Sequence, residues 1–536
     1  MALTSKIKPD PVLDLIKSMT KAEKRSFRLY ATRISDSKNA KFIALFDAMD
    51  EVAAFDEAKI LKKSGVPKSQ LANVKIYLYH QLLTSLRQSG VDGYDDISLH
   101  EQLDFARILY AKGMYRQSLK ILDRAKHQAV GRQQFTIALE IVEFEKLIES
   151  QFITRSSTTR ADDLTTEVQN LSSTIQKASE FSNLAIQLYA LYLKRGHVRN
   201  RNDIMFVEDY FAKHRPKFDV RRQGVHEQLY MNLSNYWYSY ILQDFLACYR
   251  HTQRNVDMFT EYPMLKQSMS SLYFKSFNYL LESLFYLRHY SRFKEVLEAV
   301  HAEIVKRENI VNQNAEILAR SFYYANRMNL HFMDGNFSDG LEIVPELLEF
   351  IKENENKIDQ HHILVFYYKV ACLYFGCGSF KQSISLLNKI IDTRDEDVRS
   401  DLQCFARILR LIATYESGDD LMMEYQVKST YRFLVKMNDL NIVQREMLAF
   451  LSKFDTFYRS DINEQFRALH EKLLLYESMP YEKRPFLYLD LTSWLESKMK
   501  NVPVQEIIRQ KFTRRSSAQA LLSTTSGGGA VDNPRI

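Results

Sequence analysis

Apolar residues recur along most of this chain at intervals of three and four, the spacing that gathers side chains on one face of an α-helix. Residues 367–391, YYKVACLYFGCGSFKQSISLLNKII, show it most plainly. Tyr367, Val370, Ala371 and Tyr374 make one stripe, Gly376 and Gly378 interrupt it, and Phe380, Ile384, Leu387 and Ile391 make a second. The pattern predicts two helices joined by a tight turn. Neither can bury its stripe by itself, so the hairpin requires neighbours of the same kind.

The amino-terminal part reads as a run of shorter helices. Asp10-Pro11 sets a helix start ahead of Val12, Leu15, Ile16 and Met19, and Thr20 with Glu23 has capping-box spacing before Phe27, Tyr30 and Ile34. Helices over 40–54 and 57–64 come next, Gly65 and Pro67 stop the pattern, and Val74, Leu78, Leu82 and Leu86 carry another helix. Residues 1–90 are therefore expected to form a helical cap, divided from the rest of the chain by the Gly- and Asp-rich segment 89–96.

Copies of the hairpin pattern then recur. Phe105, Ala106 and Leu109 precede Gly113, with Tyr115, Ser118, Leu122 and Ala125 after it. Leu284, Leu287, Phe293, Val296 and Val300 keep the offsets without a turn Gly, whereas Tyr324, Gly335, Phe337, Gly340 and Val344 restore it. Leu409, Ala413, Tyr415 and Gly418 open one more. In the clearest copy Ala371 is the small residue facing the partner helix, Gly378 the turn, Phe380 the aromatic two residues on and Ser383 a second small residue. In this set of positions, over residues 100–435, the chain resembles the tetratricopeptide-repeat superfamily. Its turns at Ser291, Gly335, Gly378 and Gly418 are 44, 43 and 40 residues apart, longer than the superfamily period of about 34.

That resemblance implies an all-α fold: a right-handed α-solenoid of TPR-like hairpins over 97–435, with longer helices than usual, between the amino-terminal cap and a C-terminal helical segment, 436–513. The stretches YESGDDLMMEYQVKSTYRFL and DLTSWLESKM also resemble the carboxy-terminal part of an uncharacterised group of bacterial cytoplasmic helical-repeat proteins. From Arg514 the composition turns to Ser, Thr, Gly and Asn, so 514–536 is expected to be a disordered tail.

Composition narrows the function classes. With only 15 Gly and 10 Pro in 536 residues, turn signals are too few for many short strands, and the 31 Tyr and 33 Phe read as packing residues between helices. No apolar run reaches signal-peptide or membrane-span length, which makes the cytoplasm the expected location. Cys248, Cys372, Cys377 and Cys404 lack metal-ligand spacing, and His361-His362 point in different directions on a helix, so neither a metal nor another cofactor is expected. A Gly-rich phosphate loop, a nucleophile elbow and HExxH are all missing, and the pairs Asp162-Asp163 and Asp419-Asp420 fall at helix starts, where acids suit the dipole. The chain is expected not to be an enzyme.

Two surfaces remain as binding candidates. Stacked hairpins leave a concave face lined by the first helix of each pair, and Asn326, Asn329 and Lys369 fall there as the residues placed to meet a protein or peptide. They do not complete the carboxylate clamp of chaperone-binding repeats, because Ala325 stands where that pattern wants Lys and Cys372 where it wants Asn. Each is expected on the solvated surface. The alternative is a nucleic-acid-associated regulator using the basic stretch 194–222, with Arg195, Arg199, Arg201, Arg221 and Arg222 neutralising phosphates. A net charge of +7, spread along the chain, does not decide between them.

Overall fold

The computed structural model describes residues 10–34, 41–89, 95–151, 159–217, 224–393, 400–418, 423–437, 442–452, 462–479 and 490–525. All regular structure among the described residues is helical, so the protein is all-α. It divides into two compact units, Met1–Ser172 and Ser173–Ile536. The segment 89–96 lies inside the first unit, and of it residues 90–94 fall outside the described ones.

In the first unit, the helices Pro11–Ser18 to Leu71–Ser89 enclose one core, built on Ile16, Phe27, Leu45, Phe46, Ile60, Leu78 and Leu82. Both anticipated helix starts are present. Asp10 Oδ1 accepts from the amides of Val12 and Leu13 at 3.1 Å, and Thr20 and Glu23 bond reciprocally, with Thr20 N to Glu23 Oε2 at 2.6 Å and Glu23 N to Thr20 Oγ1 at 3.2 Å. A second core joins Asp95–Ala111, Tyr115–Gly131 and Phe135–Gln151 through Leu103, Ala106, Leu122, Ala125, Ile141 and Ile148. Beside it Lys126 donates to Glu145 at 2.8 Å and to Glu167 at 2.9 Å, and Arg160 reaches Glu145 at 3.1 Å. Burial pulls the Lys126 ammonium down, but the two carboxylate hydrogen bonds outweigh it and hold its pKa above the ordinary value.

The second unit is built from helices that pack on their sequence neighbours. Val225–Ile241 pairs with Phe245–Glu261, which packs on Ser270–Tyr286. Ser270–Tyr286 meets Gln313–Asp334, which meets Gln360–Gly376. The last of these forms the hairpin with Phe380–Ile391, followed by Ser400–Ser417. At the C-terminal end Leu491–Lys500 packs on Ile462–Ser478, and Val504–Thr525 packs on both Leu491–Lys500 and Gln313–Asp334. That final helix runs past Arg514, where a tail was expected to begin; residues 526–536 lie outside the described ones.

Two local devices recur across the chain. The first is a side-chain bond at the helix crossing: Ser383 Oγ donates to the Ala371 carbonyl at 2.9 Å, Ser118 Oγ to the Ala106 carbonyl at 2.8 Å, and Cys248 Sγ lies 3.7 Å from the Tyr236 carbonyl. Donor and acceptor are twelve residues apart in all three. The second is the turn. Ser379 N bonds to Tyr374 O at 2.9 Å across Gly378, and the same backbone bond spans Gly113, Gln133, Gln243 and Arg288. Each of these residues has positive φ, the left-handed helix-ending conformation. Gln133, Gln243 and Arg288 adopt it with a side chain, so the Gly signal was missing where the turn was present.

The 360–391 hairpin differs from its sequence pattern in two respects. Gly376 does not interrupt the first helix but is its last residue, and a Cβ there would overlap the Phe337 ring. The buried face of the second helix is Ser383, Leu386, Leu387 and Ile390, so of the predicted stripe only Leu387 is fully buried, while Phe380, Ile384 and Ile391 pack half-buried at its edge.

Two substitutions probe this packing. Leu387→Ala, at a side chain with no exposure, should cost about 2–5 kcal/mol in chemical denaturation, and an unchanged midpoint would remove it from the core. Gly376→Ala should cost about 1–3 kcal/mol by overpacking, and Phe337→Leu in the same chain should recover part of that loss.

Candidate functional site

The second unit holds a cavity of about 1320 Å³. Five helices, alternating in sequence with others, each supply part of its wall: Tyr189 and Tyr192, then Trp237 and Tyr240, then Asn278, Tyr279 and Glu282, then Asn326, Asn329 and Phe332, then Lys369 and Cys372. The aromatic part is tightly made. The rings of Tyr189 and Trp237 lie 4.7 Å apart, Trp237 and Tyr279 5.4 Å, and Tyr236 and Tyr279 4.6 Å.

Beside these rings runs a row of polar side chains from three helices. Asn326 Nδ2 donates to Asn278 Oδ1 at 2.8 Å and to the Phe322 carbonyl at 2.9 Å. Asn329 Nδ2 donates to Asn326 Oδ1 at 3.1 Å, and the Lys369 ammonium donates to Asn329 Oδ1. Lys369 also stands 5.8 Å over the Phe332 ring. One turn along from Asn278, Glu282 accepts the Tyr236 hydroxyl hydrogen at 3.0 Å.

Asn326, Asn329 and Lys369, singled out separately in the sequence, are thus brought into one hydrogen-bonded chain. They are not solvated surface groups. Asn326 is 1% exposed and Asn329 6%, because neighbouring helices run close enough for their amides to bridge. Asn278, Glu282 and the aromatic wall were not anticipated. The available signal was the interval between wall positions: Asn278 precedes Asn326 by 48 residues, and Lys369 follows it by 43.

The electrostatics of the row are set by partial burial. Desolvation lowers the Lys369 pKa to about 8, with Glu282 opposing part of the shift. Burial pushes the Cys372 thiol, one turn on from Lys369, up to about 12, so it stays protonated at neutral pH. Tyr236 and Tyr279 are raised by burial and by the neighbouring Glu282 carboxylate. The row therefore presents Lys369 and Glu282 with a set of amides against aromatic faces, while further charged groups, Arg288, Glu477, Asp490, Glu496 and Lys511 among them, line other parts of the cavity.

At the cavity edge, His362 belongs to a helix cap. Asp359 Oδ1 accepts the His362 amide at 3.1 Å and Asp359 Oδ2 meets the His362 ring, which holds the Asp359 pKa at about 2. Among the described residues no group of three His, Cys, Asp or Glu side chains is arranged to hold a metal ion.

The basic stretch is differently disposed. The Arg195 guanidinium stacks 4.1 Å over the Phe206 ring, and Arg199 pairs with Asp203 at 3.4 Å. Arg201 is the first residue of the helix Arg201–His214, which Asn200 caps. Arg221 and Arg222 lie outside the described residues.

Comparison of the chain with protein-family models, curated proteins and solved structures found no match. No helix among the described residues is long and apolar enough to cross a membrane.

The lowered pKa makes a signed prediction. Folding takes Lys369 from an ordinary value of 10.5 to about 8, so between these values the unfolded chain holds a proton that the folded chain has released. The contribution of this site to stability accordingly rises with pH in that window. The melting temperature of the wild type relative to Lys369→Met should increase from about pH 8 to about pH 9, below general tyrosine ionisation. A constant difference would show that Lys369 titrates normally.

Proposed function

We propose that this chain is a non-catalytic helical-repeat scaffold, a right-handed stack of TPR-like hairpins, whose groove in the second unit holds a segment of a partner protein. The observation that carries this reading is the row from Asn278 to Lys369. Three helices packed one on the next, Ser270–Tyr286, Gln313–Asp334 and Gln360–Gly376, contribute polar side chains to one line along the wall of a cavity of about 1320 Å³. Asn278 and Lys369, the half-buried ends of the row, can meet polar groups of a polypeptide, held in place by the buried Asn326 and Asn329 between them, while Tyr189 and Tyr279 offer apolar area. Lys369 and Glu282 add one charge of each sign, which favours a segment with complementary charges in a fixed direction. The free thiols of Cys248, Cys372 and Cys377 accord with the reducing cytoplasm as its setting.

A random-peptide display selection on the immobilised full chain tests the proposal. Peptides should be enriched, and Lys369→Ala, with its helical content and cooperative unfolding retained, should weaken the selected peptides by about tenfold or more, equivalent to about 1.4 kcal/mol. Absence of enrichment, or binding indifferent to Lys369, would sink the reading. The same chain titrated with oligonucleotides at low salt addresses the nucleic-acid alternative directly.

A further inference from the structure

The groove is bounded at one end by the last described helix, Val504–Thr525. Val504, Ile508, Lys511, Phe512 and Arg515 fall on one helical face, and all five line the cavity. Their seat is shaped for a helix backbone. Gly335 has φ +76°, and a Cβ placed on it would lie 2.6 Å from the Arg509 nitrogen and 2.8 Å from the Gln505 carbonyl oxygen. No other residue type allows that approach. Around it, the Phe512 ring meets Tyr290 edge-on at 4.7 Å, and Ser338 Oγ donates to Gln505 Oε1 at 3.1 Å. Lys511 pairs with Glu496 at 2.7 Å and donates to Ser493 Oγ at 2.9 Å.

The seat is well shaped but the hold on it is shallow. Of Val504–Arg515 only Ile507 and Ile508 are buried; Lys511 and Phe512 are half-buried, and Arg509, Gln510, Arg514 and Arg515 are exposed. The preceding helix is anchored far more firmly. Leu491–Lys500 buries Leu491, Thr492, Ser493, Trp494, Leu495 and Ser497, and the Trp494 indole donates to Glu416 at 2.6 Å. A firmly held helix is thus followed by one that rests on a preformed surface by a narrow apolar edge, the arrangement of a tethered ligand.

We propose that the face around Gly335 is a helix-binding seat, filled in this state by the chain's own Val504–Thr525 helix, and that the partner presents an amphipathic helix that takes its place. The partner helix repeats the seated pattern: apolar residues at the positions of Val504 and Ile508, an aromatic at that of Phe512, and basic residues at those of Lys511 and Arg515. The basic pair faces Glu477, Asp490 and Glu496, which line the same end of the cavity. This inference rests on the reading of the groove as a protein-binding site and names the chemistry of the partner.

The test uses a fluorescent synthetic peptide of residues 504–525 as the probe, titrated into the full chain. In wild type the chain's own helix competes, so the apparent affinity is reduced by the fraction of open seat. Ile508→Ala with Phe512→Ala in the chain should loosen that helix and leave the seat intact, raising probe affinity by about tenfold or more, and adding Gly335→Val should abolish the gain. Hydrogen exchange on the wild-type chain gives a readout that does not depend on the variants. Amides of 504–515 should exchange at least about tenfold faster than those of 491–500. Equal probe affinity for wild type and variant, or equal protection of the two helices, would make Val504–Thr525 a fixed wall and overturn the proposal. Selected display peptides that bind through Lys369 without displacing the probe would also overturn it, while leaving the groove a binding site.

Discussion

Close approach of paired helices is the constraint on which the rest of this structure depends. Where two helices cross, a small residue lets the backbones come together, and the group it carries bonds to a carbonyl of its partner, as Ser383 does to Ala371 and Ser118 to Ala106. A larger apolar side chain there would force the helices apart, and would leave a buried carbonyl lone pair without the extra donor. Close approach of neighbouring helices likewise allows Asn326 to bond Asn278 and Lys369 to bond Asn329, side chain to side chain. The groove wall is therefore a consequence of the packing rule and not a separate addition to it.

Two lysines show how surroundings settle the behaviour of one residue type. Lys126, in the first unit, has two carboxylates within 2.9 Å, and their attraction exceeds the cost of burial. Lys369, in the second, bonds a neutral amide and faces an aromatic ring, so burial prevails and the proton is held less tightly. Lys126 is locked between Glu145 and Glu167 in a network of the kind that fixes a core. Lys369 keeps donors directed at a cavity, with a charge that its surroundings only partly balance.

The helical class of the chain was legible because periodicity is a local property, and so were the caps at Asp10 and Thr20, whose chemistry needs only three or four residues. The hairpin with Leu387 in its core was legible for the same reason. Features set by distant contacts were not. Gly376 reads as a breaker in sequence, but its small size is required by Phe337, which arrives from another helix. Arg288 carries a turn with no glycine to announce it. Asn326 and Asn329 look like solvated polar residues until the neighbouring helix is placed beside them. The final helix was cut short because Ser and Thr past Arg514 outweighed Ala518, Ala520, Leu521 and Leu522, residues that favour a helix.

A groove like this is an expensive way to fill an interior. Packing alone would be served by leucine and isoleucine at the positions of Asn278, Asn326, Asn329 and Lys369, removing the desolvation cost of three amides and an ammonium. The row instead satisfies most of its hydrogen bonds internally and leaves a cation beside open space, with aromatic faces opposite. Groups held in this way lose little on meeting a ligand, since their orientation is already fixed and their water already largely removed. That preorganisation is the physical reason to read the wall as a surface awaiting a segment of another protein, and not as a core that failed to close.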